Sequence, residues 1–177
     1  MPDSPENNFA TLNPLNMIPS SHISTADGNL KATCATGAGS AIAGTFSVKG
    51  GKWYWEHRAT SVGNGLALGI TYGSGSVSDM NAKGIFYGFN GGKRVFTTDT
   101  GSAGAAWAAG DIIGIAVDAE SGGTISFYKN NASQFTVTEA SILTTDFVLW
   151  VYNNSSSAGS ASWVNFGQDA SFAGAIT

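Results

Sequence analysis

The 177-residue sequence has few charged side chains, and this scarcity limits what the protein can bind. Lysine and arginine number 8, aspartate and glutamate number 12, and the formal net charge is -4. The basic residues are scattered, apart from two short clusters, Lys49 with Lys52 and Lys93 with Arg94. Binding along a phosphate backbone requires a continuous basic patch. Nucleic acid is therefore not expected as a partner.

The chain also lacks paired cysteines, a long apolar run and a secretory leader. Cys34 is the single cysteine, so neither an intrachain disulfide nor a thiolate metal cluster is expected. The longest apolar run, Phe147 to Tyr152, is far shorter than the roughly 20 residues of a membrane-spanning helix. No basic segment followed by an apolar one opens the chain, so no signal peptide is expected. These absences favour synthesis in a reducing cytoplasm without membrane insertion, after which the protein could leave the cell as part of a particle.

Proline is confined to the first 19 residues, at Pro2, Pro5, Pro14 and Pro19. Because proline fixes φ and lacks an N–H donor, residues 1–28 are predicted to form an extended arm rather than a paired strand. Residues 29–177 are then the folded domain. The arm would lie across the domain or a neighbouring subunit, anchored by three apolar side chains: Phe9, Leu12 and Leu15. The alternative is a frayed terminus with one anchored strand at 9–12. If the arm only anchors, deleting residues 1–28 leaves a folded domain that no longer assembles.

Glycine and apolar residues are plentiful, and their distribution predicts many short strands. Glycine occurs 24 times, and 42% of the residues are hydrophobic, which is sufficient for a core. Turn-forming Gly, Asn and Ser separate ten candidate strands: 30–35, 41–48, 53–60, 66–72, 84–89, 94–98, 112–118, 124–129, 147–153 and 161–166. Residues 102–109 are predicted to be a loop. This spacing predicts an all-β fold, an antiparallel β-sandwich.

The stretch 110–130 carries the clearest pattern in the chain. Apolar residues at every second position, such as Ile113, Ile115 and Val117, precede a glycine-rich turn, and Ile125 and Phe127 continue the alternation after it. A period of two on both sides of a short turn is typical of a β-hairpin with one face on a core.

Five segments in this order are similar to conserved strands of one family: Gly51–Glu56, Leu68–Ile70, Gly84–Gly88, Gly110–Asn130 and Val164–Gln168. Together they resemble the SPRY (B30.2-like) family over about residues 45–168. The resemblance implies a concanavalin A-like antiparallel β-sandwich. It also implies a binding module rather than an enzyme.

A second, shorter resemblance lies in the arm. Residues 7–15, followed by 28–30, resemble the lead-in to SPRY-like domains of bacteriophage virion proteins. This implies a non-enzymatic virion protein of the capsid-decorating or fibre type, which contacts capsid or tail proteins and copies of itself. One alternative is a tail fibre or spike domain that recognises a host glycan or protein. Another is an intracellular SPRY adaptor, although the chain has none of the zinc-ligand clusters or heptads that precede the domain in ubiquitin-ligase adaptors.

Candidate catalytic groups are sparse. Concanavalin A-like glycosidases need two carboxylates on either side of the scissile sugar bond. The closest pair of carboxylates here, Asp118 and Glu120, falls in the hairpin turn. There, both side chains are explained by solvation of the turn. His57 lies in a strand, and no nucleophile elbow accompanies it. No catalytic residue, cofactor or metal site is therefore expected, and a glycan-cleaving enzyme is the less favoured alternative.

Function is consequently expected in surface loops, since sandwich domains bind through loops at one end. The candidate loops are 72–80, 88–93, 98–107 and 152–160. Aromatic side chains in loops are natural anchors for a partner, and the amide of Asn153 lies beside one of them. The predicted partner-binding residues are Tyr72, Tyr87, Phe89, Trp107, Tyr152 and Asn153.

Overall fold

The computed structural model describes residues 9–18, 22–35, 39–63, 65–72, 82–153 and 159–169. Its strands are β1 (Leu12–Ile18), β2 (Ile23–Ala26), β3 (Lys31–Cys34), β4 (Ser40–Val48), β5 (Lys52–Ser61), β6 (Leu66–Tyr72), β7 (Gly84–Gly88), β8 (Gly92–Val95), β9 (Thr98–Ser102), β10 (Ile112–Asp118), β11 (Thr124–Lys129), β12 (Ala132–Thr138), β13 (Phe147–Asn153) and β14 (Ser160–Asn165). One turn of 3-10 helix, Ala140–Leu143, precedes β13. No helix in the described ranges is both long and apolar enough to cross a membrane.

The strands form two antiparallel sheets of seven strands each. The first sheet has the order β1-β4-β13-β6-β7-β8-β9, and the second has the order β12-β11-β10-β5-β14-β3-β2. Apolar side chains from the inner face of each sheet meet in one core, as a β-sandwich requires. The predicted all-β antiparallel sandwich is thus confirmed.

The hairpin predicted at 110–130 is formed by β10 and β11. Ile115 pairs with Phe127 and Val117 with Ile125, and all four side chains are buried. Asp118 closes the turn, because its Oδ1 accepts the backbone N–H groups of Glu120 and Ser121, each at 3.0 Å. The predicted hairpin with one apolar face on the core is therefore confirmed.

The described part of the predicted arm lies in both sheets. β1 pairs with β4 at one edge of the first sheet, and β2 pairs with β3 at one edge of the second. The expectation that prolines keep residues 1–28 out of paired strands is wrong for these two strands. Pro14 is tolerated because the register of β1 shifts between Leu12 and Met17, where Pro14 has no pairing position.

Two further strand assignments need correction. The single strand expected at 94–98 is two strands, because Phe96 takes a positive φ of 55° in the tight turn between β8 and β9. Strand β12 was not expected, and it completes the second sheet beside β11. The loop predicted for 102–109 is irregular beyond Ser102, where β9 ends.

Candidate functional site

Residues of four neighbouring strands line up on the outer face of the first sheet. Cross-strand pairing places Trp150 beside Gly69, Gly69 beside Phe86, and Phe86 beside Arg94. Gly69 has to be glycine here, since a Cβ would lie 1.9 Å from the carbonyl oxygen of Ile85. Gly69 thus allows close approach of the β6 and β7 backbones, and Trp150 and Phe86 flank it on the outer face.

These aromatic residues form a second apolar cluster, separate from the core between the sheets. Its buried members are Ala41, Ala43, Phe86, Trp150 and Tyr152. Trp150 is fully buried although it lies on an outer face, and the Phe86 and Tyr152 rings lie 6.1 Å apart between centroids. The outer face therefore has an apolar floor, which an ordinary solvent-exposed sheet face does not have.

A cleft of about 180 Å³ opens next to this floor, and we call it the sheet-face cleft. It is lined by Gly65, Leu66, Ala67, Phe86, Gly88, Phe89, Asn90, Gly92, Lys93, Arg94, Asp99 and Tyr152. Aromatic rings form one part of its wall, and two cations with one carboxylate form another. The cleft thus combines apolar contact area with a few polar groups, as binding sites commonly do.

Arg94 is the most prominent polar group of the sheet-face cleft. Its Nε donates to the carbonyl oxygen of Phe96 at 3.0 Å, which fixes the side chain, and its two terminal nitrogens have no hydrogen-bond partner among the described residues. Asp99 pairs with Arg94 across the strands, but its Oδ1 accepts the N–H of Gly101 at 2.9 Å. Within the described residues, no carboxylate lies at ion-pair distance from Arg94.

Tyr152 borders the apolar floor and the cleft. Burial raises the pKa of the Tyr152 hydroxyl, and the nearby positive charge of Arg94 acts in the opposite direction. The hydroxyl therefore stays protonated at neutral pH and offers one hydrogen-bond donor next to a guanidinium group.

Backbone bonds hold the loop that carries Phe89. The N–H of Phe89 donates to the carbonyl oxygen of Leu66 at 2.9 Å, and the N–H of Trp107 donates to the carbonyl oxygen of Phe89 at 2.8 Å. The Oδ1 of Asn90 accepts the N–H of Gly92 at 3.0 Å. This side of the cleft is therefore preorganised rather than formed by loose loops.

The six predicted partner-binding residues do not form one surface. Phe89 and Tyr152 both line the sheet-face cleft. Tyr87, Trp107 and Asn153 are almost completely buried, and Tyr87 packs edge-on against Trp107 with centroids 6.1 Å apart. These three side chains contribute to packing and offer no surface to a partner.

Tyr72 lies away from this site. Tyr152 pairs with Ala67 of β6, whereas Tyr72 is the last residue of that strand, about 17 Å further along at 3.3–3.4 Å per residue. Its ring is buried and contacts Phe96, with centroids 6.0 Å apart. The loop expected to follow it, at 73–80, lies outside the described residues.

The three predicted anchor residues of the arm have different environments. Leu12 is fully buried in the core, Phe9 lines an apolar cleft at the end of the sandwich, and Leu15 is 97% exposed. An anchoring role for Phe9 and Leu15 stays a prediction, while Leu12 is a core residue of this chain.

The sequence analysis did not predict Phe86, Arg94 or Trp150 as binding residues. The unbroken apolar run of β13 was the available signal, because a strand that is apolar at every position is buried on both faces. Assigning Arg94 to the same face required the register of β7 and β8, which the sequence does not show.

Other candidate groups are held in structural roles. His57 is fully buried, and burial lowers its pKa from 6.5 to about 3, so the imidazole is neutral. Backbone N–H bonds from Ser121 and Glu120 are the largest causes that lower the pKa of Asp118 to about 2. Glu56 accepts a hydrogen bond from the Tyr54 hydroxyl at 2.9 Å. Across the described ranges, no three His, Cys, Asp or Glu side chains are grouped as metal ligands.

Comparison with known families identifies one family that matches this chain. The SPRY domain family matches residues 52–169, which is most of the chain. The chain belongs to the SPRY domain family. SPRY domains are typically modules for protein–protein interaction rather than enzymes. Comparison with curated proteins found no match.

Solved SPRY structures share the fold. The SPRY domain of human HERC1 is similar with a TM-score of 0.75 and 17% identity, over 89% of this chain and 99% of that chain. The PSpry domain of TRIM65 is similar with a TM-score of 0.68 and 14% identity, over 89% of this chain and 92% of that chain. At these identities the similarity establishes the sandwich fold.

Proposed function

We propose that this SPRY domain binds a protein partner in the sheet-face cleft, through a segment that carries a carboxylate beside an apolar side chain. The observation that supports this is the pairing of Arg94 with an aromatic wall. Arg94 has terminal N–H groups without a carboxylate partner among the described residues, and Phe89 and Tyr152 lie in the same cleft. A guanidinium group is suited to a carboxylate because its N–H groups match the two oxygens.

The shape of the cleft favours a polypeptide over a small metabolite. Its walls come from backbone-bonded strands and a tight turn, and it is open along the sheet face rather than closed. A peptide segment can lay its backbone along such a face while one apolar side chain contacts the rings. The overall charge of -4 does not favour an acidic partner, so the local guanidinium group has to provide the selectivity.

The test is selection of binding peptides from a displayed random library, followed by affinity measurements with the wild-type chain and three variants. Enriched peptides should contain Asp or Glu next to an apolar residue. The Arg94→Gln variant should bind them about 10- to 100-fold more weakly, because a charge-assisted hydrogen bond contributes about 1.5–3 kcal/mol. The Tyr152→Phe variant should show a smaller loss.

Arg58→Gln is the matched control, since Arg58 is exposed on the second sheet, away from the sheet-face cleft. Its affinity for the selected peptides should equal that of the wild type. Equal binding by the Arg94→Gln variant, or a library from which no sequence is enriched, would contradict the proposal.

The biological setting that we propose is the surface of a bacteriophage particle, where the protein acts as a capsid-decorating or fibre-type subunit. The support is the resemblance of residues 7–15 to the lead-in of virion SPRY-like domains. The copy number in purified particles tests it. Many copies per particle indicate capsid decoration, and a few indicate a tail fibre or spike that recognises a host receptor. Complete absence contradicts a virion role and leaves an adaptor inside the cell.

A further inference from the structure

Strand β1 contains an excursion that presents one leucine to solvent. Leu12 pairs with Gly44 and Met17 pairs with Ile42, so residues 13–16 stand opposite Ala43 alone. Leu15 lies in this excursion and is 97% exposed, the highest value among the exposed large hydrophobic side chains of the described residues. An apolar side chain in this position is not used by the fold of its own subunit.

The excursion is an ordered turn. The Oδ1 of Asn13 accepts the N–H of Leu15 at 3.0 Å, and Pro14 between them has a fixed φ. Leu15 is therefore held out from the edge of the first sheet, and little backbone entropy remains to be lost if it becomes buried in an interface.

Charge does not protect this edge. Strand β1 contains no charged residue, whereas exposed sheet edges are commonly protected by lysine, proline or a bulge. Here Pro14 and the shifted register interrupt the hydrogen-bonding edge, so addition of a further strand is not favoured. Insertion of the Leu15 side chain into an apolar recess would bury its exposed surface without strand addition.

Such a recess lies at the end of the same sandwich, and we call it the aromatic cleft. It is lined by Phe9, Ala10, Phe46, Val48, Trp53, Tyr54, Trp55, Leu149 and Phe166, and its volume is about 160 Å³. An apolar cavity of about 150 Å³ accepts a molecule as large as benzene. The aromatic cleft therefore has room for a leucine side chain, and none of its lining residues is charged.

The aromatic cleft is open, and it is close to the excursion. Phe46, Trp53 and Tyr54 at its rim are 46%, 41% and 40% exposed. Phe9 and Ala10 lead directly into β1, and Phe46 lies on the strand that pairs with β1. Each chain thus has an exposed leucine at one sheet edge and a recess of matching size at the end of the sandwich.

We propose that two copies of this chain form a dimer in which Leu15 of each copy inserts into the aromatic cleft of the other. A second copy fits better than an unrelated protein, because each chain carries both halves of the contact and a two-fold axis satisfies both at once. The sheet-face cleft and the aromatic cleft share no lining residue, so the inference is independent of the proposed peptide binding.

Sedimentation velocity of the full chain over a range of concentrations tests the dimer. The wild type should change from monomer to dimer, and Leu15→Ser and Phe46→Ser should each raise the dissociation constant about tenfold or more. Leu143→Ser is the matched control, because Leu143 is 38% exposed on the 3-10 helix and does not line the aromatic cleft. This control should dimerise like the wild type.

A mixture of the two variants separates reciprocal insertion from a general loss of apolar surface. The Phe46→Ser chain keeps its leucine and the Leu15→Ser chain keeps its cleft, so their heterodimer has one intact contact and each homodimer has none. The mixture should therefore associate more strongly than either variant alone, with unchanged thermal unfolding of both. A monomeric wild type, growth into open-ended polymers, or no gain on mixing would overturn the proposal.

Discussion

The buried His57 should make the stability of this domain depend on pH in a range where few other groups titrate. Its side chain lies in the core between Ile113 and Val164 of the neighbouring strands, and it is 0% exposed. Neither ring nitrogen has a hydrogen-bond partner among the described residues. Burial is the cause that lowers its pKa from 6.5 to about 3.

The sign follows from the lowered pKa. Above pH 6.5 the imidazole is neutral in both the folded and the unfolded chain, so it adds no pH dependence. Between pH 6.5 and about 3 only the unfolded chain binds the proton, and the free energy of unfolding falls by about 1.4 kcal/mol per pH unit. At pH 5 the loss is about 2 kcal/mol, or a decrease of about 4–8 °C in Tm.

Urea unfolding at several pH values between 7 and 4.5 measures this effect. The range stops above the ordinary pKa of aspartate, because the lowered pKa values of Asp111 and Asp118 destabilise the fold in the same direction at lower pH. The His57→Leu variant should lose the slope and remain at least as stable at pH 7, since an unpaired buried polar group is removed. The His22→Gln variant should keep the slope because His57 is intact. A flat wild-type profile, or an unchanged slope in His57→Leu, refutes the reasoning.

Three further predictions concern stability, and each is checked by urea or thermal unfolding. Gly69→Ala should lower the free energy of unfolding by about 1–3 kcal/mol or more, because the new Cβ would lie 1.9 Å from a carbonyl oxygen. Gly44→Ala should be tolerated, because its Cβ would have no neighbour closer than 3.6 Å. Equal unfolding midpoints for the two variants would contradict this. Leu12→Ala should lower the free energy of unfolding by about 2–5 kcal/mol because Leu12 is buried, and Leu15→Ala by less than about 0.5 kcal/mol because Leu15 is exposed. Similar losses in the two variants would contradict this reasoning. Deleting residues 1–28 should abolish cooperative unfolding because it removes β1 and β2, and a truncated chain with a native transition would show that the segment is separable.

The sequence predicted those elements whose side chains alternate strictly. Ile113, Ile115 and Val117 point to one face at every second position, and nothing distant has to be known for that inference. Strand β12 shows why others were missed, because Phe135 and Val137 are its only large apolar residues. Strand β1 was missed for a different reason. Proline usually interrupts a paired strand, but the fold places Pro14 where no backbone hydrogen bond is required.

The candidate site was less predictable than the fold. Aromatic residues near loops were reasonable anchors, yet Tyr87 and Trp107 are core residues because their strand and loop face inward. Phe86 and Arg94 meet on the outer face through the pairing of β7 with β8. A shift of one position in strand register moves a residue to the other side of the sheet. The register is set by contacts between distant parts of the chain, which the sequence does not show.

The order of strands has a consequence for synthesis on the ribosome. β13 lies between β4 and β6, and β14 lies between β3 and β5, so the last two strands of the chain occupy interior positions in the two sheets. Until residues 147–165 have emerged, neither sheet can close, and β3, β4, β5 and β6 present unpaired edges. Pairing across such long separations is slow, and exposed edges invite association with other chains. We therefore expect nascent chains truncated before β13 to depend on chaperones, and release of the final strands to mark the moment at which the whole domain folds.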